Sequence, residues 1–428
     1  MGIFQKIKNS QLAKSGINYS LTSTMLSVIS MAVSLLNMRW LGPEELGIWQ
    51  SLTIFSSYIP YLQLGIQSGL NLELPILLGN SDERRLRSYI ANAYFFSRLV
   101  TLTILGVGLI AAAVVALKGM GLKFVLGVVA LTGLNVGTSI AYHFIARYRS
   151  SMAFDILSKI IRLQIFATVL CVPLIYFFHF WGLLAYNSVP ILVYAFLMYK
   201  RSPFNDIKPA FVKEDSMYLV KRGMIQMCYV QTSTAIKTLQ QWFLLHFGST
   251  VYVGLFSPSL ALGNVINMIP GQLNQFLNPQ MGYRYGQSKQ AKDLWPFVKK
   301  FMLITPLVIL PISLFFYFLL PWLVTTFFPK YIEAINAMQI MSLGYIFSSS
   351  PIMGGFLYTI KAYKEATIII ATELIGYLVL PSFFYLVFNL PLLNSVALGV
   401  SCAFLCIYLC TFVILRVTLF KQKYNKGV

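Results

Sequence analysis

The sequence predicts an all-α polytopic membrane protein with twelve transmembrane helices in two six-helix bundles related by a parallel repeat. Of the 428 residues, 57% are hydrophobic and only 11% are charged, whereas a soluble domain carries about a quarter charged residues. Apolar stretches long enough to cross a bilayer recur along the whole chain. Polar patterns of the first stretches return in the second half. Together these features exclude a soluble enzyme, a disordered chain and a disulfide scaffold.

A transmembrane helix needs about 20 mostly apolar residues to cross roughly 30 Å of hydrocarbon. Windows of this size give twelve predicted spans: Ile17–Trp40, Gly47–Leu77, Tyr89–Leu117, Gly121–Ile145, Ala153–Phe178, Trp181–Met198, Gly223–Phe247, Val251–Met281, Phe297–Phe328, Ile332–Ile360, Ala366–Phe388 and Ser395–Leu415. The predicted organisation is an interfacial cytoplasmic segment at residues 1–16, an N-lobe at 17–199, a cytoplasmic loop at 200–222, a C-lobe at 223–415 and a cytoplasmic tail at 416–428.

The positive charges predict the orientation of these spans. The chain has 33 Lys and Arg against 13 Asp and Glu, a net charge of +20. If both termini are cytoplasmic, 27 of the 33 basic residues lie inside and four lie outside. Since basic residues accumulate on the cytoplasmic side, this bias predicts an N-in, C-in protein of the cytoplasmic membrane. It also explains the net charge without a nucleic-acid partner.

Polar residues follow one face of several spans, and an offset near 207 residues relates the two halves. The first span carries a stripe of Ser23, Ser27, Ser30, Ser34 and Asn37, and the offset places Lys237 and Gln241 on the seventh span. The stripes of the second and eighth spans contain Gln63, Gln67 and Asn71, and Asn267, Asn274 and Asn278. Each face either lines a wet cavity or forms hydrogen bonds between helices. Four stripes at symmetric positions favour a cavity.

Ionisable residues inside the spans are the strongest functional signal. Arg98 and Lys237 lie deep in the third and seventh spans with no acid on their own helix in reach. Such cations favour an anionic ligand, and arginine suits phosphate. Lys159 and Arg162 share a face with Asp155 at the start of the fifth span, so they either recruit an anion, pair with Asp155 or extend to the membrane surface.

These residues define the predicted substrate as large, polar and anionic. Amide side chains suit sugar hydroxyls, because they both donate and accept hydrogen bonds. The predicted sugar contacts are Gln63, Gln67, Asn71, Asn267, Asn274, Asn278 and Gln241. Glu73, Glu373 and Asp155 are the candidates for coupling to H⁺ or Na⁺, and no other cofactor or metal is expected. His143, His179 and His246 lie near span ends and are interpreted as interfacial residues.

Two segments resemble the opening signature of the polysaccharide transporter family, the Wzx-type flippases of the MOP superfamily. They are Arg39–Gly47 (RWLGPEELG) and Gln63–Leu70 (QLGIQSGL). The first segment also has a physical explanation, because Pro43 begins the second helix and Glu44 and Glu45 complement its N-terminal dipole. The sequence departs from the family at Gln63, where members often carry an acid.

The resemblance implies a bacterial inner-membrane flippase for undecaprenyl-diphosphate-linked oligosaccharide, acting in O-antigen or other surface polysaccharide synthesis. It implies a V-shaped, MATE-like pair of lobes that alternate access, with membrane lipids, a polysaccharide polymerase and a chain-length regulator as partners. An ion-coupled drug or metabolite exporter of the same superfamily is the first alternative. A membrane glycosyl- or acyltransferase is the second, and it would require clustered acids or histidines at one membrane face. No P-loop, HExxH or CxxC motif is present.

Overall fold

The computed structural model describes residues 11–79, 82–288, 290–348, 357, 360 and 362–421. The described part is helical and contains no strand. Fourteen α-helices are found among these residues: α1 Gln11–Trp40, α2 Pro43–Thr53, α3 Ile66–Gly79, α4 Glu83–Leu117, α5 Leu122–Ser150, α6 Phe154–Phe178, α7 Phe180–Lys200, α8 Lys213–Lys237, α9 Leu239–Phe247, α10 Thr250–Ser288, α11 Trp295–Phe327, α12 Ile335–Gly344, α13 Tyr363–Leu386 and α14 Leu392–Phe420.

Every predicted span falls on helix in the described part of the chain. Nine helices among the described residues are long and apolar enough to cross a membrane without interruption. The remaining predicted spans are interrupted or partly outside the described residues: Gly47–Leu77, Gly223–Phe247 and Ile332–Ile360. Residues 1–10 of the predicted interfacial segment and residues 422–428 of the predicted tail lie outside the described residues.

Two spans contain breaks that the periodicity did not predict. The second span changes from α2 to two 3₁₀ turns, Ile54–Ser57 and Ile59–Gln63, before α3 begins. Pro60 lies in the second turn, and Leu64 and Gly65 follow with positive φ values of 49° and 79°. The seventh span is broken at Thr238, between α8 and α9. Such irregular backbone inside a membrane protein is tolerated where neighbouring protein satisfies its polar groups.

The chain divides into two compact units. Unit 1 is Met1–Leu41 with Leu52–Gln231, and unit 2 is Gly42–Ser51 with Thr232–Val428. The division differs from the predicted lobes, because most of α2 belongs to unit 2 and most of α8 belongs to unit 1. The helix α8 also begins at Lys213, so half of the predicted 200–222 loop is helical.

The linker between α7 and α8, residues 201–212, forms hydrogen bonds with the N-terminal part of α4 in unit 1. Asn92 Oδ1 accepts hydrogen bonds from the Val212 backbone N–H and the Ser216 hydroxyl, both at 2.7 Å. Arg87 Nη1 donates to Asp206 Oδ2 at 2.6 Å. The linker is therefore part of unit 1 rather than a free connection.

Candidate functional site

The charged centre of unit 1 begins with Arg98 on α4. Arg98 lies 15 residues after Glu83, the first residue of the helix, which is roughly 22 Å along the axis at 1.5 Å per residue. Its Nη2 donates a hydrogen bond to the Tyr94 hydroxyl at 3.1 Å, and its guanidinium carbon lies 4.7 Å from the Tyr94 ring centroid. Helical side chains lean toward the N-terminus, so the Arg98 guanidinium is directed toward the predicted cytoplasmic end.

Tyr94 connects Arg98 to a second, deeply buried cation. The guanidinium carbon of Arg147 on α5 lies 5.0 Å from the Tyr94 ring centroid and 4.9 Å from that of Phe144. The His143 ring stacks on Tyr94 with centroids 5.2 Å apart and planes 9° apart. One tyrosine ring therefore contacts two arginines and a histidine. Cation–π contacts of this kind each contribute about 0.5–2 kcal/mol.

A relay of hydrogen bonds holds Arg147 in place. Arg147 Nη2 lies 2.8 Å from His143 Nε2, and His143 Nδ1 lies 3.1 Å from Gln67 Oε1. Because arginine has no acceptor, His143 Nε2 must accept, and the imidazole is neutral with its proton on Nδ1. Gln67 Nε2 then donates to the Ala93 carbonyl at 3.0 Å. The relay links α3, α4 and α5 through three hydrogen bonds.

The relay corrects two interpretations from the sequence. Gln67 is 2% exposed and both ends of its amide are engaged, so it packs in the core of unit 1 and not at a sugar-binding surface. His143 is completely buried and not interfacial. The sequence did not predict the burial of Gln67, because the residues that cover it, Ala93 and His143, are 26 and 76 residues away along the chain.

The two arginines have no carboxylate within ion-pair distance among the described residues. Arg147 is 1% exposed, its Nη1 donates to the Phe204 carbonyl at 3.3 Å, and its Nε has no hydrogen-bond partner in the described part. Asp206 acts on Arg147 only at longer range. Arg147 lies three residues before the end of α5 at Ser150, beyond the predicted end of its span at Ile145. A buried charge that has no opposite charge beside it carries a desolvation penalty of several kcal/mol, which no ion pair offsets in the described part of the chain.

Arg98 also lines a cavity of about 550 Å³ between α4, α5 and α7. Its polar lining consists of Tyr94, Ser97, Arg98, Thr101 and Tyr199. The rest of the wall is aliphatic or aromatic and includes Leu102, Phe144, Leu192 and Phe196. The cavity lies entirely within unit 1. We call it the Arg98 groove.

The other predicted anion-binding residues of unit 1 lie on α6, outside the lining of this groove. Lys159 and Arg162 are exposed, and Arg162 Nε donates to its own helix at the Ser158 carbonyl, 3.4 Å away. Asp155 is also exposed, and no ion pair joins it to Lys159 within the described residues. The expected Asp155–Lys159 pair is therefore not formed. Lys159 and Arg162 both remain exposed on the surface of α6.

The two predicted intramembrane glutamates have different partners. Glu73 on α3 accepts a hydrogen bond from Arg222 Nε at 2.8 Å, within unit 1. Glu373 on α13 is 4% exposed and accepts from the Ser233 hydroxyl at 3.2 Å. Lys237 lies near enough for its charge to act on Glu373. Lys237 was expected to be a cation without an acid, whereas unit 2 places a buried carboxylate beside it.

The predicted sugar contacts are distributed over both units. Gln63 and Asn71 are half-buried in unit 1, with no hydrogen-bond partner among the described residues. Gln241 is half-buried in unit 2, and Asn267 accepts a hydrogen bond from the Ser348 hydroxyl at 2.7 Å. The side chains of Asn274 and Asn278 lie outside the described set. The four described residues remain predicted sugar contacts.

Sequence reasoning missed Tyr94, His143 and Arg147 as a group. Arg147 is one of the 27 basic residues that the charge count places on the cytoplasmic side, because it follows the predicted end of its span at Ile145. The available signal was the i, i+4 spacing of His143 and Arg147, which places both on one face of α5. Their burial depends on Phe204 and Tyr94, which the sequence alone does not bring to that face.

No protein-family model and no curated protein matches the chain. Solved structures do match over nearly the full length. An inward-facing multidrug resistance MATE family transporter of the MOP superfamily aligns with a TM-score of 0.75 and 14% identity, covering 95% of this chain and 98% of that one. An outward-facing structure of a MATE transporter aligns with a TM-score of 0.65 and 15% identity, covering 96% of both. A MATE transporter in the bent conformation gives 0.64 and 13%, again covering 96% of both.

The chain has the fold of the MATE transporters. The identities of 13–15% establish the architecture and not the substrate. This fold and the apolar helices of the described residues identify an all-α polytopic membrane protein, as the sequence predicted.

Proposed function

We propose that the protein is a flippase that moves undecaprenyl-diphosphate-linked oligosaccharide across the bacterial inner membrane by alternating access, for O-antigen or other surface polysaccharide synthesis. The observation that carries the proposal is the pair of arginines around Tyr94. Within the described residues, neither Arg98 nor Arg147 has a carboxylate within ion-pair distance.

An anionic substrate explains why these charges are retained. A cation inside a membrane span without a counter-ion favours an incoming anion, and charge-assisted hydrogen bonds from arginine to phosphate are stronger than neutral ones. Arg98 is exposed on the groove side of Tyr94 and can contact a phosphate directly. Arg147 is buried next to the same ring, outside the groove lining, and contributes through its electrostatic field. Lys159 and Arg162, exposed on α6, are proposed to attract the anion toward unit 1.

Glu373 is the proposed coupling residue in unit 2, because it is buried and its carboxylate receives only a serine hydroxyl and the nearby charge of Lys237 among the described groups. Glu73 is a weaker candidate, since its carboxylate already accepts from Arg222. Lys237 then has a double role: it neutralises Glu373 at rest, and it is free to meet the diphosphate when Glu373 takes up a proton.

Glu373 also favours one alternative, an exporter of cationic compounds, for which a buried acid is the expected anchor. The neighbouring charge of Lys237 opposes that function, because it partly neutralises the Glu373 carboxylate and repels an incoming cation. The exporter and the flippase differ in the sign of the substrate and can be separated directly.

A liposome assay tests the proposal. The purified protein is reconstituted with undecaprenyl diphosphate that carries a short oligosaccharide with a fluorescent label, and external dithionite reduces the label in the outer leaflet. We expect the protein to expose the inner-leaflet pool as well. Arg98→Gln should slow this exposure about tenfold, since a hydrogen bond to a charged group contributes about 1.5–3 kcal/mol. Arg98→Lys should retain part of the rate.

Arg84→Gln is the matched control, because Arg84 is an exposed arginine on the same helix and outside the groove. It should leave the rate unchanged. In parallel, the protein is expressed in cells that lack their own drug pumps. Resistance to cationic dyes, together with no movement of the labelled oligosaccharide, would replace the flippase with the exporter.

A further inference from the structure

We propose that the Arg98 groove holds the first isoprene units of a polyprenyl tail, with the diphosphate at Arg98 and the rest of the tail in the bilayer. The inference rests on the proposed function and identifies the part of the protein that binds the lipid moiety. It is carried by a geometry within unit 1: one exposed cation beside an apolar channel between α4, α5 and α7.

The groove matches an amphipathic ligand rather than a free anion. Beyond Arg98, the wall is formed by Leu102 on α4, Phe144 on α5, and Leu192 and Phe196 on α7. A free diphosphate would meet hydroxyl donors only from a few side chains and would lose its hydration against the apolar wall, which is costly for a charged group. A lipid phosphate keeps its tail on that wall and its charge at the arginine.

The position along the helices is that of a lipid chain entering from one membrane face. Tyr199 lines the groove one residue before the end of α7 at Lys200. Leu192 lies seven residues further from that end, which is about 10 Å at 1.5 Å per residue. The groove therefore runs inward from the predicted cytoplasmic end of α7.

The rim is open, so the tail can lie partly in the groove and partly in lipid. Leu102 is 65% exposed and Phe196 is 60% exposed, and they belong to different helices. In a membrane protein, exposed apolar side chains on these helices are covered by hydrocarbon. A cavity of about 550 Å³ holds only the beginning of a long isoprenoid chain.

Charge complementarity favours a diphosphate over an ordinary phospholipid. Arg98 contacts the groove directly, and Arg147 adds a second positive charge, with its guanidinium carbon 5.0 Å from the Tyr94 ring centroid. An anionic phospholipid offers one negative charge, whereas a diphosphate offers at least two. The site thus selects by head-group charge, and the open rim accepts a tail of any length.

Photo-crosslinking tests the inference. The full-length protein in phosphatidylcholine nanodiscs is illuminated with a polyprenyl diphosphate that carries a benzophenone in its first isoprene units, and the crosslinked peptides are identified by mass spectrometry. We expect crosslinks on α4 and α7 around Leu102, Leu192 and Phe196. Unlabelled undecaprenyl diphosphate should compete, whereas inorganic pyrophosphate and phosphatidylglycerol should compete at least tenfold less well.

Two tryptophan variants on α7 form a matched pair. Leu192→Trp fills the groove and should reduce crosslinking about tenfold, whereas Val189→Trp, on a partly exposed position of the same helix outside the lining, should not. Both side chains are partly exposed, 39% and 44%, so both variants should fold. Arg98→Gln should weaken binding of the diphosphate probe more than that of an uncharged polyprenol probe.

The outcomes separate this inference from the proposed function. Crosslinks on other helices, in a protein that still moves the labelled oligosaccharide, would overturn the groove and leave the flippase standing. Equal competition by phosphatidylglycerol would mean that the groove binds ordinary membrane lipid, and would also overturn the inference. The absence of any competed crosslink, together with no movement of the oligosaccharide, would remove both.

Discussion

Two charged clusters, one in each unit of the protein, have opposite arrangements. Unit 1 holds Arg98 and Arg147 around Tyr94 with no carboxylate in ion-pair distance among its described residues. Unit 2 buries a carboxylate, Glu373, beside a serine and a lysine. We therefore propose that unit 1 binds the anionic ligand and that unit 2 exchanges a small cation or proton.

The 207-residue repeat shows which residues occupy the equivalent positions of Arg98 and Glu373 in the other half of the chain. With the offset of 207 residues, Arg98 corresponds to Thr305, whose hydroxyl donates back to the Phe301 carbonyl of its own helix at 2.7 Å. Glu373 corresponds to Phe166, which is 63% exposed. Neither charged group has a charged equivalent in the other half. The pattern of helices is thus repeated in both halves, whereas each of these charged residues is present in one half only.

A close helix contact stabilises each unit, and breaking either contact should have the largest effect. In unit 2, a Cβ on Gly254 would lie 1.7 Å from the Pro43 carbonyl oxygen. In unit 1, a Cβ on Gly223 would lie 2.1 Å from the Gly65 carbonyl oxygen. Gly254→Val and Gly223→Val should each cost more than about 3 kcal/mol, because backbone cannot move aside. The measurement is the yield of monodisperse protein in detergent.

Gly106→Ala is the control for both variants. Nothing lies within 4 Å of a Cβ at Gly106 on α4, and alanine is favoured over glycine in a helix by up to about 1 kcal/mol. Its yield should equal or exceed that of the wild type. A normal yield of either valine variant would contradict the close glycine contact in that unit. The two units would then not share this mode of helix packing.

The next effect concerns Gln67 and Gln63, which the sequence did not distinguish. Gln67→Leu removes the acceptor of His143 Nδ1 and the donor to the Ala93 carbonyl. Leaving two buried polar groups unsatisfied should cost about 2 kcal/mol and lower the thermal midpoint by roughly 4–8 °C. Gln63→Leu should leave the midpoint unchanged and reduce oligosaccharide transport. The reverse pattern would return Gln67 to the sugar site.

This pair of glutamines shows how far the sequence could predict the site. Apolar length located the nine uninterrupted membrane-length helices of the described residues, because crossing the bilayer requires it whatever the partners are. A polar stripe, by contrast, does not state which of its members are buried. Gln67 meets His143, which is 76 residues away, and Arg147 is buried by Phe204 of the linker. Such contacts depend on tertiary packing, which periodicity does not encode.

A third test compares the Arg222–Glu73 ion pair with the longer-range interaction between Lys237 and Glu373. Arg222 is 52% exposed in its pair with Glu73, so solvent weakens that interaction to below about 1 kcal/mol. Glu373 is 4% exposed. A double-mutant cycle of Lys237→Met and Glu373→Gln should therefore show the larger coupling, about 1–3 kcal/mol, measured by thermal unfolding. The corresponding cycle of Arg222→Gln and Glu73→Gln is the control.

The same variants sharpen the functional comparison. If Glu373 couples transport to an ion, Glu373→Gln should make the rate of oligosaccharide movement independent of ionophores that collapse the proton and sodium gradients. Glu73→Gln should keep the dependence. A wild-type rate that ionophores do not change would remove the coupling role of unit 2 and leave only the anion site of unit 1.

The smallest expected effect is the pH dependence of the linker contact in unit 1. The hydrogen bond from Arg87 lowers the pKa of Asp206 below its ordinary value of 3.8. A carboxyl whose pKa is lower in the folded protein stabilises it above the unfolded pKa and loses that contribution as the pH falls through the folded pKa. The difference in thermal unfolding midpoint between wild type and Asp206→Asn should therefore be constant from neutral pH to about pH 5 and shrink below pH 4.

The control uses Glu365, which accepts a hydrogen bond from Lys421 in unit 2 at 2.7 Å. In the background of Glu365→Gln, the difference in midpoint caused by Asp206→Asn should be unchanged. A difference that persists at acidic pH would mean that Asp206 acts through packing and not through its charge.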